Sequence, residues 1–181
     1  MKFIKLKFNY KCPNEKLTTC LNMKQTEKLK VAFENYFNAL NALKTLGVTQ
    51  NKKDFTSQLG EWLVETLYDG KRAESGIQKH WDIDTPIGKI QVKTHSKSDK
   101  NNARWSNLKK TQTSEINFVV IIVFTKDYQL KEFYNAPWSI VNEKIREHKD
   151  ADRIHWDDLD DYKIQLPKLP KQEIISLFGE L

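Results

Sequence analysis

The chain has 181 residues, 39% hydrophobic and 30% charged, and its 30 Lys and Arg against 24 Asp and Glu leave a net charge of +6. That length suits one domain with an elaboration, and the composition matches neither a disordered chain nor a membrane protein. Cys12 and Cys20 alone cannot build a disulfide scaffold or a finger-type zinc site, no apolar run reaches a membrane span, and the basic balance points toward a polyanion, so the expected setting is cytoplasmic.

In chain order, residues 2–8 alternate like a short strand and Pro13 turns the chain. Over residues 26–46, Leu29, Phe33, Tyr36, Phe37, Leu40 and Leu43 recur at helical spacing, with Gly47 as the stop. This strand and long helix, residues 1–50, are expected to pack on a core formed by residues 51–181, and the Leu29 to Leu43 face is also a candidate homodimer contact. Asp54 is the expected N-cap of a second helix that stops at Gly70. Its apolar stripe leaves Glu61 and Glu65 one turn apart on a neighbouring face.

Residues 71–76 suggest a strand, and the segment from His80 to Thr94 a hairpin turning at Pro86 and Ile87. Side chains alternate along strands, so Trp81 and Ile83 face one way and Asp82 and Asp84 the other. On the return strand Ile90, Val92 and Thr94 oppose Gln91 and Lys93. With that turn, Asp82 lies opposite Gln91 and Asp84 opposite Lys89. One face of the hairpin is apolar and the other carries carboxylates, an amide and an ammonium.

Residues 103–114 are expected to form a third helix. The run 118–124, Phe-Val-Val-Ile-Ile-Val-Phe, has no alternation and reads as a strand buried on both faces. A strand at residues 130–134, a helix opened by Pro137 and a short final helix over residues 171–181 follow. Asp157, Asp158, Asp160 and Asp161 lack calcium-loop spacing and read as a solvated turn.

The succession of acidic helix, Asp-bearing hairpin ending in Gln91-Val92-Lys93, helix and buried strand resembles the PD-(D/E)XK nuclease core, over residues 54–138. The resemblance implies an α/β restriction-endonuclease-like fold, a mixed central sheet flanked by helices, carrying the N-terminal strand and helix as an extension. It implies magnesium-dependent cleavage of double-stranded DNA, with manganese as a substitute ion. A type II restriction endonuclease is the first expectation, a repair or recombination nuclease the next. A nuclease-like module that binds nucleic acid or protein without cutting is the rival.

Phosphodiester hydrolysis needs a nucleophile made from water and neutralisation of charge on the phosphate, and a divalent ion serves both. Magnesium accepts one or two carboxylates and leaves its other positions to water and phosphate. Asp82 is the first candidate ligand, with Asp84 the alternative. The family's second hairpin ligand is normally Asp or Glu two residues before the lysine, and here Gln91 departs from that pattern, bringing an oxygen but no charge. Lys93 matches the family's lysine, which orients the attacking water and offsets negative charge. The family's helix acid directly follows a glycine, which favours Glu61 over Glu65. His80 and His95 flank this face as candidate proton shuttles. Lys97, Lys100, Asn101, Asn102, Arg104, Lys109 and Lys110 follow the hairpin and are expected to contact nucleic acid.

Overall fold

The computed structural model describes residues 25–50, 54–73, 81–97, 100, 101, 103–111 and 115–179, with only the backbone at 25 and 26. The expectations for residues 2–8, Pro13, Cys12 and Cys20 lie outside these. The chain divides into two units, residues 1–45 and 46–181. In the first, helix α1 (Gln25–Thr45) bears Leu29, Phe33, Tyr36 and Phe37, all exposed, with the Phe33 and Phe37 rings stacked at 6.2 Å.

The second unit opens with helix α2 (Phe55–Leu67). Asp54 caps it as expected, accepting from the Ser57 amide at 3.0 Å, because the first amides of a helix have no partner within it. Strands β1 (Lys71–Arg72), β2 (Ile83–Thr85) and β3 (Gly88–Lys97) follow, then β4 (Trp105–Asn107), β5 (Phe118–Thr125) and β6 (Leu130–Pro137). Helix α3 (Trp138–Lys144), strand β7 (Arg153–His155), a 3-10 helix over Trp156–Tyr162, strand β8 (Lys163–Ile164) and helix α4 (Gln172–Ile175) complete it. The main sheet has the order β1-β2-β3-β5-β6-β8, antiparallel throughout except for the parallel β3–β5 pair, and β4 pairs with β7 apart from it. The fold is therefore mixed α/β, a mostly antiparallel central sheet flanked by helices.

Strand β5 is central because all six residues from Val119 to Phe124 are apolar, and each is at most 2% exposed. Val119, Ile121 and Val123 pack with Tyr134, Val141, Ile154 and Trp156 on one face. Gln91, Lys93 and His95 stand in register with those three valine and isoleucine positions, so they share that face. Ile90, Val92 and Thr94 point to the other, where α2 packs on β3.

Two expectations are corrected. Residues 103–111 form no helix: Ser106 and Leu108 are buried while Asn107 is exposed, the period of a strand, and the segment pairs with β7. Its apolar residues Ala103, Trp105 and Leu108 make no stripe at helical spacing long enough to bury, and residues 112–114 lie outside the described residues. The strand expected over residues 71–76 is only Lys71–Arg72, with 74–76 again outside.

Candidate active site

The hairpin has the register read from the sequence, with Asp84 across from Lys89 and Ile83 from Ile90. Gly88 takes φ +123° at the turn, and a Cβ there would meet the Asn117 side chain at 2.6 Å, so glycine is required on both counts. The Asn117 side chain accepts from the Lys89 amide at 2.8 Å and ties the hairpin to the start of β5. One residue before β2, the Asp82 amide donates to the Ile90 carbonyl, and its carboxylate accepts from the Val92 amide at 2.8 Å and from the Gln91 side-chain amide. The pairing of β2 stops at Ile83, so beyond Ile90 the outer edge of β3 has no paired strand among the described residues.

Helix α2 supplies the missing wall. It comes so close to β3 that a Cβ on Gly60 would lie 1.8 Å from the Thr94 hydroxyl oxygen, and this approach brings Glu61, only 7% exposed, to the open edge. Ser57, Glu61, Asp82, Gln91, Lys93 and His95 line one cleft of about 230 Å³ there. The chain matches no protein-family model and no curated protein.

The two pairs of alternatives left by the sequence differ in their partners. Glu65 is held by Arg72, at 2.8 Å from its guanidinium and 3.1 Å from its amide. The same guanidinium donates to the carbonyls of Val48 and Gly47, so Glu65 belongs to a clip that fixes the chain entering the unit. Asp84 lines a different cavity, with Asp69, Arg72 and Trp81. Glu61 and Asp82 are the carboxylates that share the cleft with Lys93.

As a donor set for a hard divalent ion, these residues offer two carboxylates and an amide oxygen. That fits magnesium, which takes few protein carboxylates and retains several waters. No cluster of three or more His, Cys, Asp or Glu suited to a metal occurs among the described residues, and the Gln91 amide lies beside the two carboxylates in the cleft. In the structure its NH2 group faces Asp82. The two ends of a carboxamide differ only in polarity, so a half-turn about its last bond presents the oxygen instead.

His95 sits beside the cleft with a different character. Its Nε2 lies 2.7 Å from the Ser106 hydroxyl, which accepts from the Trp156 indole N–H at 2.9 Å. Burial, with the charges of Lys97 and Lys93 adding to it, pushes the His95 pKa down to about 4. The ring is neutral near pH 7 and a weak base. His80 lies outside the described residues.

On the same face of β3 a larger cavity of about 640 Å³ begins where the first ends, because Gln91 and Lys93 line both. Lys109, Lys110, Trp138, His148 and Lys149 contribute to its wall. Two of the cations expected to contact nucleic acid thus reach the site, and the others stand elsewhere. Arg104 donates to Glu132 at 2.8 Å and to the Tyr134 hydroxyl at 2.9 Å and pairs with Asp157, so its donors serve the fold. Lys97 stands 5.4 Å over the Trp156 ring, Lys100 is exposed, Asn101 accepts from the Ala103 amide, and Asn102 lies outside the described residues. The expected solvated turn at Asp157 to Asp161 is a 3-10 helix in which Asp157 and Asp158 pair with Arg104 and Arg146. Trp138, His148 and Lys149 had no motif to mark them: an isolated aromatic at a helix start and a polar pair in a loop become site residues only through folding.

Proposed function

We propose that the protein is a magnesium-dependent deoxyribonuclease with a restriction-endonuclease-like core of the PD-(D/E)XK type, most simply a type II restriction endonuclease acting on double-stranded DNA. What carries the reading is the cleft itself. It gathers Glu61 from α2 with Asp82, Gln91 and Lys93 from the hairpin, four polar groups from two elements at the open edge of one strand.

Glu61, Asp82 and the Gln91 oxygen would hold the ion, whose chemistry when bound is to neutralise the phosphate and acidify a water. Lys93 donates hydrogen bonds from a fixed positive charge, orienting the attacking water and balancing charge as it gathers on the phosphate oxygens. The Val92 amide holds the Asp82 carboxylate in place, so the ligand does not have to be ordered when the ion arrives. A palindromic target would call for two copies about a two-fold axis.

Supercoiled plasmid incubated with the protein, with and without magnesium, tests this. Cleavage is expected only with the ion, and discrete bands mark a restriction enzyme. Lys93→Ala and Asp82→Ala should each lose roughly 100- to 1,000-fold in rate while the fold survives. Losses below tenfold in both would remove the site.

One observation favours a second reading, a module that binds DNA without cutting. The Gln91 amide already satisfies Asp82, as a cation would. Magnesium-independent binding without any nicking would select it.

A further inference from the structure

We infer that the larger cavity receives one nucleotide taken out of base pairing, with its base against Trp138, next to the phosphate held at Lys93. This rests on the proposed placement of the scissile phosphate in the smaller cleft, and it specifies what the DNA must do there. Gln91 and Lys93 form the wall common to both cavities, so a phosphate at Lys93 puts the adjoining nucleotide at the mouth of the larger one.

The volume of about 640 Å³ is that of a small-molecule pocket with room for one base, and a base reaches it only by swinging out of the stack of its neighbours. The lining has two chemical zones. Leu108, Ile116 and Trp138 offer an apolar floor, and Lys109, Lys110 and Lys149 cations at the rim, where Asp150 and Asp152 offset part of their charge. A groove that only tracks phosphates needs the rim alone; a floor with an indole suits the flat face of a base. Trp138 also packs partly on the buried cluster of Ile121, Tyr134 and Val141, which restrains its ring.

The walls are already built. The Leu108 amide donates to the Asp152 carbonyl at 3.0 Å, the Lys110 amide to the Asp152 carboxylate at 3.1 Å, and the Thr111 amide to the Asn142 side chain at 3.1 Å. These bonds hold the rim loop against α3 and the loop before β7. The unpaired nucleotide can come from a single strand or be extruded from a duplex, most cheaply at a mismatch.

The test is fluorescence anisotropy on the full chain in chelator, so that no cleavage enters the readout. The probes are a labelled single strand, the same strand in a perfect duplex, that duplex with one central mismatch, and a strand of equal length built wholly of abasic sites. The single strand and the mismatched duplex should bind at least about tenfold more tightly than the perfect duplex, and tighter binding by only one of them identifies the source of the nucleotide. Removing the bases, or Trp138→Leu, should each cost roughly 5- to 150-fold in single-strand affinity, and the abasic strand should bind both proteins alike. Trp138→Phe should keep most of the affinity. The abasic strand on the unaltered protein decides the matter should Trp138→Leu not fold. Binding of the single strand and the mismatched duplex no tighter than that of the perfect duplex, or indifference to the loss of bases, overturns the inference. A protein that nicks plasmid yet binds all four probes equally loses this inference and keeps the nuclease; one that shows the binding pattern without nicking does the reverse.

Discussion

Replacing Gly60 with alanine tests how α2 delivers Glu61. The new Cβ would lie 1.8 Å from the Thr94 Oγ1 and 2.8 and 2.9 Å from its Cβ and Cγ2, where ordinary contact begins at 3.4 Å. Thr94 cannot retreat easily, because β3 pairs in parallel with β5 along all of residues 90–97. The helix must yield by more than 1 Å. Alanine in a helix interior gains about 1 kcal/mol over glycine, and overpacking costs about 1–3 kcal/mol, so the net is a loss of up to about 2 kcal/mol. For a chain of this size that lowers the melting temperature by roughly 2–8 °C. Activity should suffer more, because a misplacement of about 1 Å at a reacting centre costs on the order of 100-fold, and Glu61 is the next residue. Thermal melts and plasmid cleavage measure the two effects side by side. Adding Thr94→Ala removes the nearest atom, a buried hydroxyl without a hydrogen-bond partner, and should restore part of both losses. A Gly60→Ala protein that melts and cuts like the parent, or one that Thr94→Ala does not relieve at all, would refute this account of the glycine.

Other substitutions probe other links. Gln91→Glu should tighten magnesium binding in calorimetric titration and keep activity, whereas Gln91→Ala should lose activity; no gain from the glutamate together with normal cutting by the alanine variant would show that residue 91 is not a ligand. Changing Lys109, Lys110 and Lys149 to glutamine should flatten the slope of log affinity against log salt by about 0.7 per lost contact on single strands and about 0.9 on duplex, and an unchanged slope would leave these side chains as solvated rim. Burial alone would raise the Glu132 carboxyl, yet hydrogen bonds from Arg104, Tyr134 and Lys163 outweigh it and hold the pKa down to about 2 from 4.5. Because the folded value is the lower one, the stabilisation, about 3 kcal/mol, is complete above about pH 4.5 and disappears as pH falls toward 2. Urea unfolding of Glu132→Gln should show a flatter dependence across that window than the parent, and parallel curves would refute the assignment. Arg104→Ala, which leaves that buried carboxylate with Tyr134 and Lys163 alone, should destabilise by about 1–3 kcal/mol, and a shift in DNA affinity with stability unchanged would return Arg104 to the phosphate-binding set.

The hairpin was legible because a two-residue period and one turn fix both the face and the partner of every side chain, so Asp84 against Lys89 and Asp82 beside Gln91 followed directly. The cap at Asp54 and the buried strand β5 were legible for equally local reasons. Glu61 and Glu65 could not be separated locally, since what divides them is Arg72 in one case and the edge of β3 in the other. Residues 103–111 misled because what sets their conformation is pairing with a strand about 50 residues away, and a helix there has nothing to bury. The same distance hid Arg104: a guanidinium after an active-site hairpin looks destined for phosphate until Glu132 and Asp157 arrive from other elements.

The hydrogen bonds that define the larger cavity link the loop at 108–111 to Asn142 and Asp152, while the groups proposed for bond cleavage stand on β3, its partner hairpin and α2. Under the proposed function, substrate preference and chemical competence would thereby be encoded in separable stretches of chain. On that proposal, mutational drift or laboratory recombination of the 108–111 and 146–152 loops would re-tune which DNA is taken and leave the cutting groups intact, whereas changes in β3, the wall the two cavities share, would alter both traits together.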